Sequence, residues 1–226
     1  MTSDQIIYED NHLLLVNKRA GELVQGDKSC DLCLVDDIKS FIKERDNKPG
    51  NVFCGLVHRL DRPVSGVVIF AKTSKALSRM NALVKERAIE KTYWAVSKNC
   101  PEPMEGTLRN WLSRNEKMNK SFVVADGTKD NAKEAVLDYK VIGKSEGGYY
   151  LIEVNLHTGR HHQIRCQLAN IGCPIKGDLK YGAPRSNPDG SISLHARRVS
   201  FEHPVSHINV NVEAEPSWNM TFNMIN

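Results

Sequence analysis

A chain of 226 residues, 40% apolar and 26% charged, holds enough material for one large globular domain, with or without a small appendage, and excludes an intrinsically disordered protein. No run of about 18 apolar residues occurs, which excludes a membrane-spanning helix, and the opening MTSDQIIYEDNHLLLVNK lacks the basic-then-apolar layout of a secretory signal. The net charge of +4 says little by itself, but residues 1–50 hold ten acids and seven bases whereas residues 157–200 hold seven bases and two acids.

In chain order, strand signals come first, at residues 5–9 and 12–17, separated by the turn-forming Asp10-Asn11. An amphipathic stretch over residues 31–44 predicts a helix, with Leu34, Ile38, Phe41 and Ile42 near helical spacing and Asp31 as its cap. Asn47–Asn51 (NKPGN) reads as a loop. The continuous apolar run at residues 67–71, VVIFA, flanked by Gly66 and Lys72, predicts a central strand covered on both faces. A helix follows after Thr73 or Ser74, with Leu77, Met80, Leu83 and Val84 as its apolar stripe. Residues 89–97 return as a strand with Tyr93 near the middle, and the polar stretch 113–131 reads as a mobile excursion.

Strands resume at residues 134–142 and 149–156, a short helix is expected at 161–170 with Ile164, Leu168 and Ile171 on its buried face, and strands at 192–201 and 208–213 close the sheet. Many strands neighbouring in sequence with few helices between them predict an α+β domain with a mixed, mainly antiparallel β-sheet, flanking helices and a central cleft. No stretch has linker composition, so residues 1–226 are expected to form a single domain, divided at most into two lobes. The six cysteines are expected to be free buried thiols of a cytoplasmic protein rather than a disulfide framework. Cys30 and Cys33 form a CxxC, but no second pair follows at finger-like spacing, so zinc is not expected.

Candidate chemistry concentrates at His58-Arg59-Leu60-Asp61-Arg62-Pro63-Val64-Ser65-Gly66, immediately before the central strand. A carboxylate flanked by two arginines stays ionised, available as a nucleophile or base, and a loop leading into a rigid strand can hold it in place. Turn closure by Asp61 ahead of Pro63 would look the same in composition. In the second half, bases interspersed with His157, His161, His162 and His195 suit a polyanion such as nucleic acid, although a solvated basic face carries the same pattern.

HRLDRPVSGVVIFAKT resembles the HRLDxxTSG signature of the RluA-type RNA pseudouridine synthases, with Val64 where that family usually carries Thr. The resemblance extends along the chain: Asp10–Lys18 is similar to the family's opening motif, with Arg19 in place of its Pro; Glu90–Val96 (EKTYWAV) resembles the segment supplying its active-site Tyr. His157–Arg165 (HTGRHHQIR) resembles TGRxHQIR, Pro174–Asp178 with Tyr181-Gly182 resembles PIxGDxxYG, and Leu194-His195-Ala196 with Phe201–Pro204 matches the closing elements, with Gln167 at a position where His is common.

The resemblance implies a pseudouridine synthase fold and the isomerisation of specific uridines in structured RNA, ribosomal or transfer, without a cofactor. It implies Asp61, Tyr93 and Arg165 as the catalytic set: Asp61 acts on the ribose, Arg165 pairs with it, and Tyr93 lies against the uracil. Arg59 would enter the stack vacated by a flipped uridine. His58, Arg62, Lys72, Arg160, His162, Lys176 and Arg197 complete the expected RNA-binding set. The opening motif at residue 10 leaves no room ahead of it for the small RNA-binding domain some members carry, so a stand-alone catalytic domain is expected, working as a monomer with RNA as its partner, without metal or membrane. Two rivals are a non-catalytic RNA-binding or ribosome-assembly protein on the same fold and a metal-dependent nuclease built on the histidines. The first gives no reason for Asp61, Tyr93 and Arg165 together; the second lacks an acidic cluster.

Overall fold

A computed structural model describes residues 1–26, 31–128 and 131–225. These form two compact units, Met1–Ile89 with Ala196–Pro216 and Glu90–His195 with Ser217 onward. The sequence shows no linker because two of the three crossings lie at the edge of a strand or within one, where composition stays that of a strand.

In the first unit the strands are β1 (Ile6–Glu9), β2 (Leu13–Lys18), β3 (Gly55–Leu56) and β4 (Ser65–Ala71), with helices α1 (Leu34–Arg45) and α2 (Ser74–Glu86). β1 pairs with β2, and β2 and β3 pair with β4, all antiparallel. Every residue of β4 is buried, as its unbroken apolar run predicts. Leu13, Leu15, Val67 and Ile69 meet Ala76 and Met80 of α2 in one core. The Thr73 hydroxyl accepts a hydrogen bond from the amide of Ala76, capping α2 as expected. Of its expected stripe, Met80 is buried and Leu77 and Leu83 pack against the same core, with Ala76 buried beside them, whereas Val84 is 36% exposed. The expected Asp31 cap of α1 is displaced too, to Cys33.

The second unit contains β5 (Glu90–Ser97), β6 (Glu105–Asn115), β7 (Lys120–Val124), β8 (Lys133–Lys144), β9 (Tyr150–Leu156) and α3 (Gln163–Asn170). Its sheet runs β5-β9-β8-β6-β7, antiparallel throughout. The stretch expected to be an excursion is therefore largely a hairpin. Leu112 of β6 and Cys166 of α3 share a small core with Ala135 and Tyr181, which gives the hairpin an apolar underside. β10 (Leu194–Glu202) carries the chain back to the first unit, where β11 (Asn209–Glu213) pairs with it antiparallel; β12 (Asn223–Met224) pairs with the end of β8. Among the described residues the sheet is mainly antiparallel and accompanied by three α-helices, the α+β architecture expected.

Gly66 starts β4 with φ +114°, and a Cβ there would lie 2.3 Å from the carbonyl oxygen of Ala196. Only glycine combines that backbone with so close an approach. It sits five residues beyond Asp61, so the strand behind the candidate carboxylate is fixed by backbone packing.

Candidate active site

Asp61 begins a tight turn: the amide of Val64 donates to the Asp61 carbonyl at 3.0 Å. The turn is held from beneath by Lys18, which is fully buried at the end of β2. Its ammonium donates to the carbonyls of Val64 at 2.6 Å, Arg19 at 3.0 Å and Arg62 at 3.1 Å. The Arg62 carbonyl also accepts from the amide of Gly21, at 2.8 Å. Burial pushes the Lys18 ammonium down to about 8, with Glu22 and Asp61 pulling it back up and Arg62 adding to the fall. A buried ammonium with three carbonyl acceptors fixes the loop, and its field reaches the carboxylate that the loop carries. The opening motif contains Lys18, yet its place under the loop was not foreseen.

The residues around Asp61 divide in role. Val57 and Leu60 are buried and anchor the segment, while Arg59 between them is exposed. The His58 Nε2 accepts from the amide of Ile69 at 3.3 Å, tying the loop to the middle of β4. Arg62 donates to the Gly21 carbonyl and the Asp31 carboxylate, both at 3.0 Å, and keeps about half its side chain in solvent. Val64 is buried, and its carbonyl is the shortest contact of Lys18.

In the second unit Tyr93 is buried in β5, opposite Val154 of β9. Arg165 lies in the first turn of α3 and is buried with an acidic partner, not the surface arginine that charge alone allows. Its Nε and Nη2 donate to the two oxygens of Asp178 at 2.6 and 2.9 Å, and its guanidinium stands 5.2 Å over the Tyr181 ring. A two-point fork of this kind fixes the plane of the guanidinium. Asp178 lies in the GD element noted in the sequence, but its pairing with Arg165 went unrecognised.

Several residues expected at the RNA surface have partners within the protein. His162 is buried, with Nδ1 3.0 Å from the Tyr181 hydroxyl. Burial, reinforced by Arg165 and His161, drives its imidazole down to about 2, so it is neutral at physiological pH. Its ring stacks on His161 at 3.8 Å, and both His161 nitrogens are engaged, by Ser121 and Asn119. Lys72 is bonded to the Glu9 carboxylate at 2.6 Å and the Asp10 carbonyl at 2.7 Å. Arg45 and Lys72 together hold the Glu9 carboxyl down to about 2. Arg197 joins the carboxylates of Glu213 and Glu215 and the carbonyl of Ala214. Lys176 donates to Asn187 at 2.7 Å, and Arg160 donates through Nε to the Glu134 carbonyl at 2.8 Å. A phosphate contact by Lys72 or Arg197 would share the cation with a carboxylate already paired to it. Charge patterning places cations along the chain but not the carboxylates that neutralise them.

Cys33, Cys54, Cys166 and Cys173 are free and buried, and Cys100 is free and exposed; Cys30, with the CxxC reading, lies outside the described residues. No helix among the described residues is long and apolar enough to cross a membrane.

The profile of the family described as RNA pseudouridylate synthase matches residues 12–170. The chain is 32% identical over 216 residues to the "Ribosomal large subunit pseudouridine synthase C" of Rickettsia felis, covering 95% of this chain and 68% of that protein. It is 34% identical over 221 residues to the protein of the same name from Rickettsia bellii, covering 96% and 70%. Among solved structures, "Human RNA Pseudouridylate Synthase Domain Containing 4" superposes with a TM-score of 0.77 at 25% identity, covering 95% of this chain and 90% of that one.

Proposed function

The chain belongs to the RNA pseudouridylate synthase family and is an RNA pseudouridine synthase, and on that premise we propose that Asp61 is its nucleophile, acting on a uridine flipped out of large-subunit ribosomal RNA. The observation that carries this reading is the mounting of Asp61. Its turn is pinned through the carbonyls of Arg62 and Val64 to a buried ammonium and runs directly into a wholly buried strand. Carboxylate catalysis at a sugar carbon needs such fixed placement. The substrate class follows the names of the two Rickettsia relatives.

The carboxylate can serve either of two steps, attack on the anomeric carbon or removal of the 2′-proton, and both break the bond between that carbon and N1 of uracil. The base then turns and rejoins through carbon 5. The carbon-5 proton is lost to solvent, the freed N1 takes up a proton in its place, and a proton removed from the 2′-carbon is returned to it, so the product is an isomer of the substrate. Tyr93 supplies a ring face for the uracil and a hydroxyl for transfer of the carbon-5 proton. Arg165 is the partner of the Asp61 carboxylate. Base flipping is required because a uracil held in the stack can neither turn nor lie against Tyr93. Arg59, exposed on an anchored segment, takes the vacated place in the stack, and Arg62 and Arg160 contact the backbone. The protein acts as a cytoplasmic monomer.

Asp61→Asn keeps the size of the side chain and removes its charge. The expected result is no tritium release from RNA labelled at uridine carbon 5, with RNA affinity near that of the wild type; turnover within tenfold of wild type would overturn the assignment. Mapping pseudouridines in total RNA from cells with and without the gene tests the substrate, and loss of a large-subunit site is expected.

A further inference from the structure

We propose that Asp178 is a positioning residue for the reaction, acting through Arg165. This rests on the reading of Arg165 as the partner of Asp61. The Asp178 side chain is 1% exposed and that of Arg165 6%, so the pair is buried rather than a surface bridge. Asp178 occupies the Nε and Nη2 edge of the guanidinium in a two-point contact. A guanidinium held by one point can rotate about that bond, but one held by two cannot, so Asp178 sets where the Nη1 edge points. The Tyr181 ring beneath the guanidinium blocks displacement in the remaining direction.

Asp178 is itself held at several points. Its carbonyl accepts from the amides of Tyr181 and Ala183, and its own amide donates to Ile175. The preceding segment is tied to β5, the strand of Tyr93: the Lys176 amide donates to Val96 at 2.8 Å, and the amide of Ser193 donates back to Lys176 at 2.8 Å. Lys176 also reaches Asn187, whose amide nitrogen donates to the hydroxyls of Ser191 and Ser193. Gly177, with φ +89°, lets the segment press against this loop, where a Cβ would lie 2.7 Å from the Ser191 carbonyl. A continuous set of contacts thus runs from the strand bearing Tyr93, through 175–178, to the guanidinium of Arg165. The residue expected in the sequence to grip phosphate, Lys176, is one of its members.

Asp178→Asn retains shape but removes one acceptor and the charge. In the full-length protein it is expected to lower kcat by 10-fold to 100-fold, the scale on which a misplaced catalytic group is felt, while KM for the RNA stays within about threefold. Asp178→Asn combined with Arg165→Lys should be no slower than Arg165→Lys alone, because both break the same contact. A folded Asp178→Asn variant with kcat within twofold of wild type, or additive losses in the pair, would overturn the proposal. So would kcat and KM worsening in step with a falling melting temperature. If Asp178→Asn does not fold, Asn187→Ala, one contact further out, decides: a threefold to tenfold fall in kcat at constant KM supports the proposal, and unchanged kcat overturns it. Full activity in Asp61→Asn alongside a defect in Asp178→Asn would sink the nucleophile reading and leave the Asp178–Arg165 coupling standing; the reverse pattern would sink the coupling alone.

Discussion

The Nζ of Lys18 lies 2.6 Å from the carbonyl oxygen of Val64, 46 residues further along the chain, and this contact fixes the back of the loop that carries Asp61. Lys18→Met fills similar space but leaves the carbonyls of Arg19, Arg62 and Val64 without this donor. Buried carbonyls that lose a partner cost about 1–3 kcal/mol each before relaxation, so a loss of roughly 2–4 kcal/mol is expected in urea unfolding. Turnover should fall further than stability explains, because the loop would relax under native conditions too. A Lys18→Met variant with wild-type midpoint and turnover would show that the loop needs no such support.

Gly66 gives a sharper structural prediction. Gly66→Ala places a Cβ against the backbone of Ala196 at 2.3–2.8 Å and strains a residue at φ +114°. Backbone cannot move aside as a side-chain tip can, so a loss of roughly 2–4 kcal/mol is expected on unfolding by denaturant. A variant as stable as wild type would mean that the strand shifts without penalty.

His162 makes the fold sensitive to acid. Its ordinary value of 6.5 falls to about 2 in the folded chain because burial disfavours the charged ring. Below pH 6.5 the unfolded chain therefore binds a proton that the folded chain does not. This contribution to stability is complete above pH 6.5 and is lost as pH falls towards 2. Between pH 7 and pH 5 the loss amounts to about 2 kcal/mol. Chemical denaturation at the two pH values checks it, and His162→Gln should flatten the dependence; an unchanged slope would assign the acid sensitivity elsewhere.

How far the sequence carried depends on whether a feature is local. β4 was legible because its buried residues 67–71 need only their own apolar run, and α2 because Thr73 caps it locally. β6 and β7 were not, since Arg109, Trp111, Asn115 and Phe122 leave the hairpin polar or exposed on its outer side. It is a strand pair because β8 lies beside it and Cys166 and Tyr181 lie beneath it. The same distinction holds at the candidate site. Asp61 and Arg165 stand in dense motifs that mark them, whereas the buried charges facing them, Lys18 beneath the loop and Asp178 on the guanidinium, are partners by folding. The ion pairs of Lys72 and Arg197 were not legible for the same reason: their carboxylates, at Glu9 and Glu213, are distant in sequence or hidden in strand register.

Tyr93→Phe separates the ring from the hydroxyl. The ring is buried in β5, so removing only the oxygen leaves the packing against β9 intact. If the hydroxyl takes part in moving the carbon-5 proton, kcat should fall about 10²-fold or more with RNA affinity unchanged. Near-normal turnover would leave the residue as a stacking surface, and near-normal turnover in Tyr93→Ala would remove it from the site.

Arg59 tests base flipping separately from binding. Its side chain is exposed while Val57 and Leu60 on either side are buried, so the segment is anchored and presents the guanidinium outward. Binding itself should weaken steeply with salt, since each neutralised phosphate releases counterions, and Arg160→Ala should flatten that slope while leaving turnover at saturating RNA nearly intact. Arg59→Ala is expected to behave differently. Extruding a stacked uridine costs a few kcal/mol, and a planar guanidinium that fills the gap lowers that cost only in the flipped state. Turnover should therefore fall more than ground-state affinity, and most on an RNA whose target uridine is well stacked. An RNA with the same stem and an already unstacked target should recover much of the loss. Equal losses on the two substrates would mean that Arg59 contacts the backbone or orders the loop of Asp61, and that the extruded base is replaced by something else.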